Sequence, residues 1–188
     1  ALGWGFAPDR DKPVSGCMVP HEVFSSCAGA AIYRKSVFDE IGLFDESFFA
    51  YLEDMDIGYR ARLAGYRNLY NPYAKVYHLG SASSGSRHNA FKVELSARNS
   101  MYMLRKNMPA WQMVLNVPFI AAGIIIKTVY FARKGLVTAY LKGIVKGLSG
   151  KLRNTSKNAG EKHKDTGFAT YLGLQMWLFR GMIKRVKK

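Results

Sequence analysis

Three carboxylates crowd the start of one short segment, and this crowding restricts what the chain can fold into. Glu53, Asp54 and Asp56 fill three of four consecutive positions, where like charges on one helix repel one another. Apolar residues of the same segment recur with a helical period, which predicts a helix packed on a core: Leu52, Met55, Tyr59 and Leu63. A helix that begins near residue 52 places the acids in its first turn, where free backbone N–H groups and the macrodipole favour the ionised form. A carboxylate there can serve as a general base at neutral pH.

The same spacing allows a second interpretation of these acids. Asp56 and Arg60 are four residues apart, which is the spacing of an ion pair on one helix face. We therefore interpret Asp56 as structural. Residue spacing alone leaves Glu53 and Asp54 open between a solvated helix start and a catalytic site.

Composition predicts one folded body with a cationic tail. The 188 residues are 48% hydrophobic, which is enough to bury one substantial core. Residues 1–126 hold 13 basic and 11 acidic side chains, whereas residues 127–188 hold 15 basic and 2 acidic ones. Cys17 and Cys27 form neither a metal pair nor a disulfide framework, and no cleaved signal peptide is evident, which favours a cytoplasmic setting. The chain starts at Ala1, and we expect it to be part of a longer protein.

A sequence of short elements fills the body, which is typical of an α/β fold. Residues 23–33 form a run of small apolar residues that predicts a buried strand. We expect a short helix with Ser36 as its N-cap and Gly42 as its stop, and helices at 52–64 and 91–107 that end at Gly65 and before Pro109. Short strands are predicted at 66–70 and 74–79, on either side of a turn at Asn71 and Pro72.

The tail has the pattern of a membrane-binding region. Residues 107–126 carry no charge and have about the length that crosses a bilayer, roughly 20 residues, although Gln112, Asn116 and Pro118 weaken that interpretation. Residues 127–148 alternate cations with large apolar groups, and residues 168–179 form a second apolar stretch too short to span. This alternation favours helices lying on an anionic membrane over nucleic-acid binding. A protein–protein contact stays open as an alternative.

Eight ordered motifs give the body a family resemblance. They are residues 28–34, 41–56, Arg60, 65–66, 71–72, 76–78, 81–83 and 98–99. Together they resemble family 2 glycosyltransferases of the bacterial rhamnosyltransferase type, over about residues 5–110. The resemblance implies a GT-A fold and inverting transfer from a nucleotide diphosphate sugar to a glycan acceptor. We expect that acceptor to be linked to a lipid. It also implies a divalent metal, Mg²⁺ or Mn²⁺.

The resemblance assigns roles to particular residues. The Glu-Asp motif of the family matches Glu53 and Asp54. The resemblance implies that Asp54 is the base that takes the proton from the acceptor hydroxyl. His78 becomes a ligand of the metal that bridges the diphosphate. The serine-rich loop that follows becomes a donor contact, with Ser81, Ser83 and Arg87 as its binding residues. Without the resemblance, His78 is an ordinary histidine at a strand end, and the loop is a plain connection.

The sequence lacks one part of the family pattern, the nucleotide-binding first half of the domain. We therefore expect residues 1–109 to be the acceptor-side, C-terminal half of a GT-A domain, inactive alone, and residues 110–188 to be amphipathic, membrane-associating helices. The predicted location is the cytoplasmic face of the plasma membrane, peripheral or re-entrant, in cell-surface polysaccharide synthesis. Two alternatives stay open: a non-catalytic membrane-associated half-domain that needs a partner chain, and a basic scaffold with no transferase role.

Overall fold

A computed structural model describes residues 13–77, 89–150 and 167–186. In these residues the protein is mostly helical, with one two-stranded sheet. The helices are α1 (Lys35–Ile41), α2 (Glu53–Leu63), α3 (Ala90–Asn107), α4 (Ala110–Ala132), α5 (Val137–Ser149) and α6 (Phe168–Val186). The strands are β1 (His21–Val23) and β2 (Asn68–Tyr70), and short 3-10 turns lie at Val14–Cys17, Ala28–Ala30 and Glu46–Phe48. This content is coarsely compatible with the predicted α/β class, and the GT-A half-domain stays a prediction.

The sheet is smaller than the sequence predicts. Strands β1 and β2 pair antiparallel, with Glu22 opposite Leu69. The strand predicted at 23–33 is wrong, because only Val23 lies in β1 and the chain turns at Ala28–Ala30, where the side chains are exposed. Alanine and glycine offer too little apolar area to hold a strand on a core. Residues 74–77 are not a strand either.

Several local signals are confirmed. Gly42 ends α1 with a φ of 80°, and Gly65 follows α2 with a φ of 86°, a region that residues with a side chain rarely adopt. The Asn71 side chain accepts a bond from the Tyr73 N–H at 3.0 Å, which forms the predicted turn. Helix α1 begins earlier than the sequence predicts: its N-cap is Arg34, two residues before the predicted Ser36.

The described residues divide into two compact units. The first contains residues 46–53 and 89–150, and the second contains residues 13–45, 54–77 and 167–186. In the second unit, α1 and α2 share a core of Val37, Ile41, Ile57 and Ala61. In the first unit, α5 lies so close to α3 that a Cβ at Gly147 would be 2.4 Å from the Arg98 carbonyl oxygen. Glycine therefore permits this close helix contact.

Candidate functional site

Asp54 lies in the first turn of α2, as the spacing of its neighbours predicts. Its Oδ1 atom accepts a hydrogen bond from the Met55 N–H at 2.8 Å, and Oδ2 accepts one from the Ala28 N–H at 3.2 Å. The side chain is half-buried, and the turn that supplies Ala28 is exposed. Each carboxylate oxygen has two lone pairs, so both can accept a further hydrogen bond. The group is held by two backbone donors and can still receive a proton from a substrate hydroxyl.

Glu53 is the first residue of α2, and it belongs to the first unit. Its Oε2 atom is enclosed and has no hydrogen-bond partner among the described residues. A buried acceptor without a partner is uncommon in folded proteins and calls for a reason. The structure thus distinguishes the two neighbours: Asp54 is bonded to the backbone through both oxygens, whereas one oxygen of Glu53 is not bonded.

The backbone that leads to Glu53 is strained. Phe49, Tyr51 and Leu52 have φ angles of 61°, 68° and 69°, a left-handed region that costs a residue with a side chain about 1–3 kcal/mol. Phe48 is fully buried and packs edge-on against Tyr102 at 5.1 Å between ring centroids. Phe49, in contrast, is 80% exposed. Three such residues next to a candidate site indicate that the surrounding structure imposes this conformation.

Two adjacent residues of α3 hold that backbone. The Asn99 Nδ2 atom lies 2.9 Å from the Phe48 carbonyl oxygen, 2.7 Å from that of Ala50 and 2.8 Å from that of Tyr51. The Arg98 guanidinium donates to the carbonyls of Ser47 and Phe48, and its Nε bonds Asn99 Oδ1 at 2.9 Å. Sequence reasoning included Arg98 and Asn99 in the family resemblance without a role. The sequence could not reveal this role, because the hydrogen bonds join residues about fifty positions apart in the chain.

Asp56 is structural, as its spacing to Arg60 predicts, but it is buried and not on a solvated face. Arg60 Nε lies 2.9 Å from Asp56 Oδ2, and their side chains are 2% and 0% exposed. The same guanidinium donates to the carbonyls of Ile41, Gly42 (3.1 Å) and Leu43 (2.8 Å). Arg60 therefore satisfies the free carbonyls at the end of α1 as well as the carboxylate.

Arg62 was missed by sequence reasoning. Its guanidinium lies 3.0 Å from Glu22 Oε1, donates to the carbonyls of Val23 and Phe24, and stacks 4.3 Å from the ring of Trp177 in α6. Burial lowers the pKa of Arg62, and the bond to Glu22 opposes that shift. Burial also raises the pKa of Tyr59 far above its ordinary value. The second half of α2 is thus a packed structural element.

The predicted metal and donor residues cannot be placed. His78, Ser81, Ser83 and Arg87 lie outside the described residues. Within residues 13–77, 89–150 and 167–186, no three histidine, cysteine or acidic side chains are grouped as a metal site.

Helix α4 has its polar side inside. Gln112 and Asn116 are fully buried, and they share one face with buried Ile120 and Gly123. The exposed side chains of the helix are large and apolar: Trp111, Val114, Leu115, Val117, Ile125, Ile126, Val129 and Tyr130. In the described part of the chain, α4 is the helix long and apolar enough to cross a membrane. A face of this size is typical of contact with protein or lipid.

One stretch of the chain resembles a rhamnosyltransferase. The similarity is to the N-acetylglucosaminyl-diphospho-decaprenol L-rhamnosyltransferase of Mycobacterium tuberculosis, with 43% identity over 54 residues in each of two strains. This match covers 29% of the chain and 18% of that protein. An uncharacterized protein of Sinorhizobium fredii is 32% identical over 80 residues, or 42% of the chain and 9% of that protein. No family model and no solved structure matches the chain.

Proposed function

We propose that the protein containing this chain transfers a sugar, with inversion, from a nucleotide diphosphate sugar to a glycan acceptor. The observation that carries the proposal is the setting of Asp54, a half-buried carboxylate held by two backbone N–H groups at a helix start. The partial similarity to a rhamnosyltransferase supports the same reaction class. Because that relative acts on a sugar-diphosphate polyprenol, we extend the proposal to a lipid-linked acceptor and to cell-surface polysaccharide synthesis.

The proposed step needs one base. The acceptor hydroxyl oxygen forms a bond to the anomeric carbon of the donor while the bond from that carbon to the diphosphate breaks. The hydroxyl proton moves to an Asp54 oxygen, and the diphosphate leaves with the electron pair. Within the proposal, His78 is assigned to a Mg²⁺ or Mn²⁺ ion that supplies positive charge to the diphosphate when bound. Ser81, Ser83 and Arg87 are assigned to the donor.

Replacing Asp54 tests the function. In the full-length natural protein, we expect Asp54→Asn to lower the turnover number by about 10² to 10⁴, because the amide keeps the shape but cannot take a proton. Donor affinity should change little. Asp39→Asn, on an exposed position of α1, is the matched control and should keep wild-type turnover. Wild-type turnover in Asp54→Asn would overturn the assignment.

Replacing His78 tests the metal assignment separately. We expect His78→Ala to weaken metal-dependent donor binding and to leave the metal-free thermal midpoint nearly unchanged. The measurement is donor affinity at a series of Mg²⁺ and Mn²⁺ concentrations. A variant that loses stability but keeps its metal response would show that His78 is structural.

An anionic membrane is the proposed location, with the protein on the cytoplasmic face. The exposed apolar side of α4 supports this proposal, and α6 has exposed apolar groups at a helical period, Phe168, Leu172 and Met176. Cations in α5 lie beside apolar positions, as on helices that bind the lipid surface in its plane. A single crossing by α4 would move the cationic tail to the far side, against the positive-inside tendency.

Protease accessibility on sealed vesicles tests the orientation. In a peripheral or re-entrant arrangement, a tag after Lys188 and the region of Asp54 are both cleaved from the same side. Protection of the tag on the opposite side would establish a crossing instead. High salt should release only part of the protein, since salt screens charge attraction and not apolar insertion.

A further inference from the structure

We infer that Arg98 and Asn99 form a positioning clamp, which holds the backbone of residues 47–51 next to its left-handed positions and thereby orients Glu53 at the start of α2. The inference rests on the proposed function, because its importance lies in the acids that follow the clamped backbone. Neither residue needs to touch a substrate. Both act through the backbone that they bind.

The bonding pattern supports the clamp. Asn99 is fully buried, and its amide nitrogen bonds the carbonyls of Phe48, Ala50 and Tyr51. An amide has two hydrogens, so three close carbonyls require at least one shared hydrogen bond. Arg98 orients this amide through its bond to Asn99 Oδ1 and adds bonds to the carbonyls of Ser47 and Phe48. Four of the five backbone carbonyls from Ser47 to Tyr51 are therefore bonded by two side chains.

The clamp explains why the strain persists. Phe49, Tyr51 and Leu52 all have positive φ, and without a bonding network such residues relax toward the ordinary helical or extended regions. Leu52 immediately precedes Glu53, so relaxation there changes the direction in which the chain enters α2. A change in that direction moves Glu53, whose next neighbour in the chain is the proposed base Asp54.

The rigid support of the clamp is also visible. The clamp residues lie on α3, an eighteen-residue helix with an Asn89 N-cap whose side chain accepts from the Lys92 N–H at 2.9 Å. Helix α5 packs closely on α3, since a Cβ at Gly143 would lie 2.3 Å from the Glu94 carbonyl oxygen. Functional geometry is most accurate when its supporting residues lie on packed elements.

Three variants of the full-length protein test the clamp. We expect Asn99→Ala to lower the turnover number at least about tenfold, with the donor KM within about twofold, because the donor-binding residues remain while the backbone that enters α2 loses its bonds. Arg98→Lys keeps the charge but loses the planar guanidinium that bonds Asn99, so we expect a smaller loss of turnover number, again with little change in donor KM. This variant remains informative if Asn99→Ala folds poorly. The matched control is Asn107→Ala, which removes another buried asparagine of α3, one whose amide nitrogen bonds the Met103 carbonyl oxygen at 3.1 Å.

The outcomes separate a positioning role from a structural one. A turnover loss in the two clamp variants, with the control unchanged at a temperature below every thermal midpoint, supports the inference. An equal loss in Asn107→Ala, or a lowered thermal midpoint with unchanged turnover in Asn99→Ala, overturns it.

A second measurement does not depend on the transfer reaction. Hydrogen exchange of the amides of residues 49–53 should become at least about tenfold faster in Asn99→Ala, while exchange in α5 stays unchanged. Unchanged exchange at 49–53 overturns the clamp even if the enzyme is active. Wild-type protein that shows no transfer overturns the proposed function, and faster local exchange in the variant would then still support the clamp.

Discussion

Helices α2 and α4 place charge and apolar surface in opposite ways. From Asp56 to Leu63, α2 is buried on all sides, and its two arginines are enclosed with it. Along α4, the buried face includes Gln112 and Asn116, while the exposed face is formed by large apolar side chains. Each arrangement reverses what water favours for an isolated helix. Burial of the α2 charges is explained by their bonds within the chain, whereas the exposed apolar face of α4 is the surface for which a lipid partner is proposed.

For α2 the bonds are visible. Arg60 satisfies one carboxylate and three carbonyls, and Arg62 bonds Glu22 and two carbonyls while stacking on Trp177. A buried charge with all its neighbours satisfied is tolerated, although it is weak evidence for added stability. For α4, no such internal account exists for the exposed apolar face among the described residues, and the proposed membrane supplies one.

The largest expected effect is at Arg60. We expect Arg60→Met to lower the free energy of unfolding by about 3–5 kcal/mol, because it leaves the Asp56 carboxylate buried without its partner. The measurement is denaturant unfolding followed by helical signal. Arg67→Met removes a cation from an exposed position of the same unit, and we expect a change of at most about 0.5 kcal/mol. Equal losses of unfolding free energy in both variants would contradict the comparison, because the buried Arg60 would then stabilise the fold no more than an exposed arginine.

The next largest effect on the free energy of unfolding is expected at the glycines of α5 that contact α3. Here a helix packs in the ordinary way, with its small residues inside. A Cβ at Gly147 would be 2.4 Å from the Arg98 carbonyl oxygen, whereas a Cβ at Gly173 of α6 would meet nothing within 4 Å. We therefore expect Gly147→Ala to lower the free energy of unfolding by about 1–3 kcal/mol through overpacking, and Gly173→Ala to raise it by about 0.4–1 kcal/mol. Thermal and denaturant unfolding show whether each variant is less or more stable than the wild type. A stabilising effect of Gly147→Ala would refute the close contact between α5 and α3.

The apolar face of α4 should affect binding more than stability. We expect the double change Val114→Asp and Ile125→Asp to weaken binding to vesicles of anionic phospholipid at least about tenfold, since charged groups resist insertion. The free energy of unfolding should change by less than about 0.5 kcal/mol, because both positions are exposed. The matched control is Val19→Asp with Leu69→Asp, two exposed apolar positions outside the helix. Unchanged vesicle binding in the α4 variant would show that lipid does not cover this face.

The smallest expected effect concerns an exposed ion pair of the first unit. Lys146 Nζ bonds Glu94 Oε1 at 2.6 Å, and this bond holds the pKa of Glu94 below its usual range. Because the folded-state pKa is lowered, the pair stabilises the fold above the unfolded pKa and loses this effect as pH falls through the folded value. We expect Glu94→Gln to cost less than about 1 kcal/mol at neutral pH. Denaturant unfolding down to about pH 3 should show the difference vanishing, and a difference that grows in acid would contradict the sign.

Local signals in the sequence predicted much of the helical content. The chemistry of a few adjacent residues accounts for three correct predictions: the start of α2 near its acids, the end of α3 before Pro109, and the turn at Asn71. The run at 23–33 failed as a strand because pairing depends on a distant partner, and β2 is in register only with His21–Val23. The candidate site shows the same limit: the position of Asp54 on its helix was predictable, whereas its bond to Ala28 was not.

By itself, the sequence determined the approximate bounds of α2 and α3, which segment concentrates carboxylates and which segment lacks charge. These properties depend on propensity, on capping and on periodicity, which act within one or two helical turns. Only the tertiary structure decided that Arg60 and Arg62 are buried, that the polar side of α4 faces inward, and that Asn99 bonds the strained backbone. The physical reason is that such bonds join groups tens of residues apart, so packing of whole elements decides which polar groups meet and which apolar faces remain exposed.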